Sequence, residues 1–153
     1  MQRTCVFVVG HEDWGKSLTL RALTKGNKHQ RRTTINEEEF YIRRMSNDDQ
    51  PGSYVLFIKS LDTSRHPRVI AALCPNFERT DAQTAFILRT LQQKRYQLFF
   101  WVIKHQYRTS EIVTADEISR LREFGRVEVF QDIVEASTRT THFRDFITRA
   151  VLR

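Results

Sequence analysis

The segment formed by residues 10–17 reads G-H-E-D-W-G-K-S and matches the pattern G-x-x-x-x-G-K-[S/T] at every fixed position. Before it, a continuous apolar run at Thr4–Val9 predicts a strand buried on both faces of an α/β sheet, and residues 17–24 after it predict a helix. In such a unit, backbone N–H groups surround the phosphates of a ligand, Lys16 reaches the β- and γ-oxygens, and the Ser17 hydroxyl binds Mg²⁺. The sequence therefore predicts a phosphate-binding loop made by Gly10, Asp13, Trp14, Gly15, Lys16, Ser17 and Leu18.

Further strands are predicted along the chain. Residues 39–45 and 54–60 are rich in β-branched and aromatic side chains, and residues 46–52 between them read S-N-D-D-Q-P-G. That stretch is rich in turn formers, so a β-hairpin is expected there. Apolar runs predict three more strands, at 69–74, 98–104 and 127–130.

Capping patterns and apolar spacing predict the helices. Helices are expected at 81–94 and 115–124, the second opened by a capping box of Thr114 and Glu117. A last helix carries apolar residues at i, i+3, i+4, i+7 and i+8 from Phe143. The order βαβββαβαβα predicts one α/β domain of 153 residues with a three-layer P-loop fold: a six-stranded, mostly parallel sheet with one antiparallel edge strand and helices on both faces.

Composition and charge exclude several classes of protein. With 40% hydrophobic and 28% charged residues, and only five Gly and three Pro, the chain is neither disordered nor collagenous. Its apolar runs are far shorter than the roughly 20 residues that cross a bilayer, and no secretory signal pattern is present, so we expect a cytoplasmic protein without a direct membrane anchor. The formal charge of +7 is dispersed without aromatic interleaving, which argues against a nucleic-acid partner.

The loop sequence resembles that of the translation-factor GTPases, in which His and Asp follow the first Gly in the same way. The order of the predicted elements is similar to that of a small Ras-type GTPase, and this similarity covers nearly the whole chain. The chain thus resembles a divergent member of the P-loop small GTPase superfamily. The resemblance implies GTP or GDP as ligand, Mg²⁺ as cofactor, and a protein partner that reads a switch surface.

Residues 32–36, R-T-T-I-N, resemble the first switch of this family, in which a Thr followed by Ile closes over Mg²⁺ and the γ-phosphate. Thr34 lies 18 residues after Lys16, close to the spacing in the family. The resemblance therefore makes Thr34 a switch residue and a metal ligand. The alternative is an ordinary polar loop before a strand.

The second switch has two competing registers. Residues 61–66, L-D-T-S-R-H, resemble the D-x-x-G pattern of the family in part. In this register Asp62 is a switch residue and metal ligand, His66 stands at the catalytic, water-orienting position, and Arg65 replaces the Gly. The other register is residues 73–76, L-C-P-N, which looks like D-C-P-G with Asp and Gly replaced. The first register is preferred because it keeps the predicted strand count.

Base recognition in the family uses N-K-x-D after the fifth strand, and here residues 103–106 read I-K-H-Q. Lys104 is retained, while Gln106 replaces the Asp whose carboxylate accepts hydrogen bonds from guanine N1 and N2. The resemblance assigns both residues to base binding and leaves the choice of base open, because Gln lacks the charge. Residues 135–138, E-A-S-T, match the later S-A-K motif loosely.

These observations favour a slowly hydrolysing nucleotide switch, a weak GTPase in which Thr34 and Asp62 close around the metal. Two alternatives stay open. A pseudo-GTPase that serves only as a protein-interaction module is favoured by the altered second-switch and base motifs, and a small P-loop kinase requires an acceptor site. The product distinguishes the three: free phosphate, no product, or a phosphorylated acceptor.

Overall fold

β1 (Thr4–Val9) is an inner strand of a six-stranded sheet. The computed structural model describes residues 3–27 and 29–152. The other strands are β2 (Arg32–Ile35), β3 (Glu38–Arg43), β4 (Arg68–Leu73), β5 (Gln97–Ile103) and β6 (Arg126–Phe130). The helices are α1 (Lys16–Arg21), α2 (Pro51–Ser60), α3 (Thr84–Gln93), α4 (Ala115–Arg122) and α5 (Ala136–Phe146); a 3₁₀ turn at Ala22–Thr24 follows α1 and a π-helical segment at Ile147–Val151 follows α5.

The strands lie in the order β2-β3-β4-β1-β5-β6. All neighbours are parallel except β2 and β3, which pair antiparallel at one edge. In the middle of the sheet, Phe7 pairs with Ala71 on one side and Phe100 on the other, and the two Phe rings stack at 5.3 Å. The predicted fold class, a mostly parallel six-stranded sheet with one antiparallel edge strand, is confirmed.

Helices cover both faces of this sheet. Right-handed crossovers place α2, α3 and α4 on one face and α1 on the other, and in agreement α2 contacts α3 while α1 contacts α5. The loops that follow β1, β3, β4, β5 and β6 therefore meet at the carboxyl edge of the sheet, where open α/β sheets bind ligands. None of the helices in the described part of the chain is long and apolar enough to span a membrane.

The predicted strand at 54–60 is wrong, because these residues belong to α2. Tyr54, Val55 and Ile58 are buried at helical spacing, while Leu56 between them is exposed. The Tyr54 hydroxyl donates to the Ala72 carbonyl oxygen at 2.7 Å. Docking of one helical face onto β4 thus outweighs the β propensity of the aromatic and β-branched residues.

The hairpin consequently lies earlier in the chain than predicted. β2 and β3 are joined by Asn36 and Glu37, which both adopt positive φ angles, of 51° and 69°. Of residues 46–52, which were expected to form the hairpin turn, residues 46–50 lead from β3 into α2 and residues 51 and 52 begin that helix. The described residues therefore form five α-helices rather than the four predicted helices, and β3, α2 and β4 form a parallel β-α-β unit.

Candidate phosphate-binding site

The loop after β1 lies at the carboxyl edge of the sheet. Its first glycine is aligned with β4, because the Gly10 N–H donates to the Leu73 carbonyl oxygen at 3.1 Å. Its last glycine, Gly15, caps α1 with a φ of 82°, a left-handed conformation that glycine adopts at little cost. A Cβ at this position would stand 2.7 Å from the Cβ of Ala136. The shape of the loop therefore depends on its own conformation and on close packing against α5.

Three residues of α5 support the loop and α1, the helix that follows it. The guanidinium of Arg139, which is only 1% exposed, donates to the Trp14 carbonyl oxygen. The Thr140 hydroxyl donates to the Thr19 carbonyl oxygen at 2.8 Å, and the Thr19 hydroxyl contacts the Ala136 carbonyl oxygen at 3.3 Å. These contacts fix the loop before a ligand arrives, which reduces the conformational entropy that binding must remove.

The Lys16 ammonium is folded back onto its own loop. Its Nζ donates to the carbonyl oxygens of Gly10 and His11 at 2.6 and 2.8 Å, and the residue is only 5% exposed. Burial lowers the pKa of Lys16, and the charge of Asp48 opposes that shift. Phosphate oxygens would give this buried cation charged acceptors in place of neutral carbonyls, which strengthens its hydrogen bonds.

A cavity of about 280 Å³ opens beside Lys16 and is also lined by Ser17, Arg44 and Asp49. Mg²⁺ is usually bound by one or two carboxylates, phosphate oxygens and water rather than by a full set of protein ligands. The Ser17 hydroxyl and the Asp49 carboxylate are oxygen donors of this kind. Within residues 3–27 and 29–152, no group of three His, Cys, Asp or Glu is arranged to hold a metal alone. The residues present therefore fit a magnesium ion that is shared with a bound phosphate.

A second cavity, of about 590 Å³, lies on the α5 side of the loop. Gln106 and Tyr107 line it from the loop after β5, and Glu135 and Ser137 line it from the start of α5. Leu18, which is 56% exposed, contributes an apolar surface at the same place. The cavity combines an apolar wall with a carboxylate and an amide, which suits a flat polar ring adjoining the phosphates.

The chain is similar over its whole length to a solved structure described as "Structure and function of the FeoB G-domain from Methanococcus jannaschii". The TM-score is 0.57 and the sequence identity 15%, and the alignment covers 100% of each chain. The chain has a G-domain-like fold. No family model matches the sequence, and no curated protein does.

Within this G-domain-like fold, only one of the two predicted base-binding residues lines the second cavity. Gln106 does so, and its side-chain oxygen accepts from the backbone N–H groups of Arg108 and Thr109, which leaves its amide N–H₂ as the group to offer a ligand. Lys104 instead donates to the Val113 carbonyl oxygen at 2.8 Å and stabilises the loop after β5. Its assignment to base binding stays a prediction, because this hydrogen bond holds the ammonium within the loop.

Thr34 does not lie at the loop of residues 10–17. It belongs to β2, where it pairs with Glu39 near the start of β3, so it faces the amino edge of the sheet. Three strand spacings, about 14 Å, separate β2 from β1. The prediction that Thr34 is a switch residue and metal ligand is wrong for this arrangement, because the strand pairing holds its backbone away from the site.

Asp62 and His66, which were predicted to lie beside the metal, are also far from the loop. Both precede β4 and lie at its amino end, whereas the loop lies at the carboxyl end; six residues of strand, about 20 Å, separate the two edges. Asp62 accepts from the backbone N–H and hydroxyl of Ser64, which lower the pKa of its carboxyl. The His66 ring packs against Tyr41 at 4.8 Å. Neither residue can bind the metal or orient water there.

Residues 73–76, the segment of the competing register, lie beside the loop of residues 10–17. Leu73 ends β4 and residues 74–76 follow it directly, and the Cys74 Sγ lies 3.9 Å from the His11 Nδ1. This segment carries Leu73 and Asn76 where the resembled D-C-P-G pattern has Asp and Gly. The first register is wrong because it depended on a strand at 54–60, which would have placed residues 61–66 at the carboxyl edge of the sheet. The helix found there places them at the amino edge.

His11 connects the loop to α4. Its Nε2 lies 3.0 Å from a carboxylate oxygen of Glu117, the residue that also closes the confirmed capping box with Thr114. Burial lowers the pKa of His11, but hydrogen bonds with Cys74 and Glu117 outweigh it and raise the pKa to about 9. His11 is therefore a cation at neutral pH and adds a positive charge to the base of the loop.

The ion pair between His11 and Glu117 is expected to make the free energy of unfolding depend on pH. Because the pKa of His11 is raised on folding, its contribution is complete below about pH 6.5, the unfolded value, and is lost as the pH rises toward 9. We expect the free energy of unfolding by urea to fall by about 1–2 kcal/mol between pH 6.5 and 9. The His11→Gln variant should show a flatter profile, and a fall of equal size in the variant would contradict the assignment.

Three residues of the site were not identified from the sequence: Asp48, Asp49 and Arg139. Asp48 lies in the stretch of turn formers that predicted a hairpin, so its approach to Lys16 was hidden by the wrong element. Arg139 lies four residues before Phe143, on the buried face of the last helix. Its helical position was a usable signal, because a charged residue on a buried face must be paired with a specific partner.

Proposed function

We propose that the chain binds a purine nucleoside triphosphate, GTP in preference to ATP, together with Mg²⁺ at the loop of residues 10–17. The observation that carries the proposal is the Lys16 ammonium, buried and pre-positioned beside a cavity that Ser17 and Asp49 also line. The adjoining cavity of about 590 Å³ has room for the base and ribose. Bound Mg²⁺ would neutralise the β- and γ-phosphate oxygens, with Ser17 and Asp49 as its protein ligands.

Hydrolysis of the bound nucleotide is expected to be slow. Water attack requires a residue that orients the water, and the predicted candidate, His66, lies at the opposite edge of the sheet. Thr34 and Asp62 are equally remote, so we do not propose a switch that acts through these two residues. Turnover at or below about 10⁻⁴ s⁻¹, the intrinsic rate of an unassisted GTPase, is expected.

The binding proposal is tested by calorimetric titration of nucleotide-stripped protein with GTP, GDP and ATP in the presence of Mg²⁺. We expect a dissociation constant for GTP of about 1 μM or tighter, because a triphosphate offers several charge-assisted hydrogen bonds. A folded protein that binds none of the three at millimolar concentration would overturn the proposal. Free phosphate released during the same incubations measures the hydrolysis rate.

Glu135 is expected to set the preference for the base. Glu135 lines the base cavity, and its carboxylate would accept from N1–H and N2–H of guanine, a pair of donors that adenine lacks. Glu135→Gln should weaken GTP binding about tenfold and leave ATP binding within about twofold, because a charge-assisted hydrogen bond contributes roughly 1.5–3 kcal/mol. Glu123→Gln, an exposed carboxylate at the end of α4, is the matched control. Equal losses of affinity for GTP and ATP would show that the base binds away from Glu135.

A further inference from the structure

Arg139, in the first half of α5, is a cation buried without a counter-charge. Only 1% of the residue is exposed, and it forms no ion pair with any described carboxylate. Burial lowers the pKa of Arg139, and no neighbouring charge opposes that shift. Burying a charge alone is costly, so such a guanidinium beside a cavity indicates an anionic ligand that completes it.

The guanidinium uses one of its three nitrogens within the described part of the chain. Its Nη1 donates to the Trp14 carbonyl oxygen. Its Nε is fully enclosed and has no hydrogen-bond partner there. Its Nη2 also has no partner among these residues, but it is not one of the fully enclosed atoms. Nη2 is therefore the donor that Arg139 offers to the base cavity of about 590 Å³, which the residue lines.

The base cavity and the cavity beside Lys16 meet at the end of the loop. Four residues line both cavities: Asp13, Trp14, Gly15 and Leu18. Arg139 stands at this boundary, because it contacts the Trp14 carbonyl oxygen and its Nη1 lies 3.3 Å from the position of a Cβ on Gly15. A ligand that fills both cavities must pass the guanidinium.

The covalent order of a nucleotide determines which of its groups lies at that boundary. With the β- and γ-phosphates at Lys16 and the base in the larger cavity, the α-phosphate and the ribose lie between them. The ribose is uncharged, whereas the α-phosphate is negatively charged and presents oxygens that accept hydrogen bonds from a guanidinium. The α-phosphate is therefore the group that would supply the missing counter-charge of Arg139.

We propose that Arg139 binds the α-phosphate of the nucleotide through Nη2, while Nη1 keeps its hydrogen bond to Trp14. This inference rests on the proposed binding of a nucleotide and adds to it a residue that recognises the phosphate attached to C5′ of the ribose. GTP, GDP and guanosine 5′-monophosphate all carry that phosphate, so Arg139 contributes to the binding of all three. Lys16, which would hold the β- and γ-phosphates, contributes to the binding of GTP and GDP.

The test compares guanosine with guanosine 5′-monophosphate, which differ only in this phosphate. Their dissociation constants for the whole chain are measured by displacement of a fluorescent GDP analogue. We expect Arg139→Gln to reduce the gain in affinity that the 5′-phosphate gives by about tenfold, because charge-assisted hydrogen bonds are lost. Arg144→Gln, which changes an exposed arginine of the same helix, is the matched control and should keep the gain of the wild type.

The ratio of the two dissociation constants separates phosphate binding from support of the loop. If Arg139 acts only as a support, Arg139→Gln weakens the binding of both ligands in parallel, and the unchanged ratio would overturn the inference while leaving nucleotide binding intact. Guanosine 3′-monophosphate carries its phosphate at another position of the ribose, and an equal loss with this ligand would also overturn it. A wild-type protein that binds no guanine nucleotide would overturn the proposed function as well.

A measurement on the wild-type protein covers the case in which Arg139→Gln does not fold. The Nε–H resonance of Arg139 is assigned in ¹H–¹⁵N spectra through its bonds to the backbone of α5. It should shift on addition of guanosine 5′-monophosphate, and it should stay in place with guanosine or guanosine 3′-monophosphate. A resonance that responds to guanosine and its 5′-monophosphate alike would show that Arg139 does not contact the α-phosphate.

Discussion

Lys16→Ala is expected to weaken binding of GTP by about 100-fold or more, since it removes a buried ammonium and with it charge-assisted hydrogen bonds to the phosphates. The same variant should keep most of its stability. It loses two hydrogen bonds, to the carbonyl oxygens of Gly10 and His11, but it also loses a cation whose burial is costly. Calorimetric titration with GTP, together with urea unfolding, measures both quantities.

The matched control is Lys59→Ala. Lys59 is an exposed lysine in the last turn of α2, at the opposite edge of the sheet from the loop. It has the same charge change as Lys16→Ala and should leave the affinity for GTP within about twofold, because exposed charges at that distance are screened. Equal losses in both variants would show that net charge, and not the position of Lys16, governs binding.

Gly15→Ala is expected to lower the free energy of unfolding by about 2–3 kcal/mol and to weaken GTP binding at least tenfold. Two effects add: the φ of 82° disfavours any residue with a Cβ, and the added Cβ would stand 2.7 Å from that of Ala136. Urea unfolding of the variant measures their sum. A loss below about 1 kcal/mol would show that the loop adapts and that its shape is less fixed than the α5 contacts suggest.

A second glycine separates the two effects. Gly26 has the same φ of 82°, but a Cβ there would meet no atom within 4 Å. Gly26→Ala should therefore cost only the backbone contribution, about 1 kcal/mol. Combining Gly15→Ala with Ala136→Gly should recover the part of the loss that is due to the close contact, and no recovery would assign the whole loss to the backbone.

Local patterns were sufficient to predict the loop and most of the sheet. The loop motif could be recognised because residues 10–17 are contiguous. The strands at Thr4–Val9 and Arg68–Leu73 were predicted, the second as residues 69–74, because each contains a continuous apolar run that is buried in the sheet. The segment at 54–60 could not be assigned correctly, since the contact between Tyr54 and Ala72 that stabilises its helix is not visible in local sequence.

The wrong assignment of residues 54–60 as a strand also led to wrong positions for predicted residues of the site. With a strand at 54–60, Asp62 would emerge at the carboxyl edge and face the loop; with a helix there, it emerges at the amino edge. Because of the same error, the segment that carries Asp48 was interpreted as a hairpin turn. Predictions that combine distant segments therefore depended on the direction of every element between them, whereas predictions within the loop did not.

The support that α5 gives to the loop has a consequence for how the protein is made. Arg139 and Trp14 are 125 residues apart in the chain, and Thr140 and Thr19 are 121 apart, so the contacts behind the loop join the beginning of the polypeptide to a part synthesised much later. At about 5–20 residues per second, ribosomal synthesis takes several seconds to cover that interval. During this time the loop has been synthesised but its contacts with α5 have not formed. A nascent chain therefore completes the proposed nucleotide site only after α5 has emerged and docked.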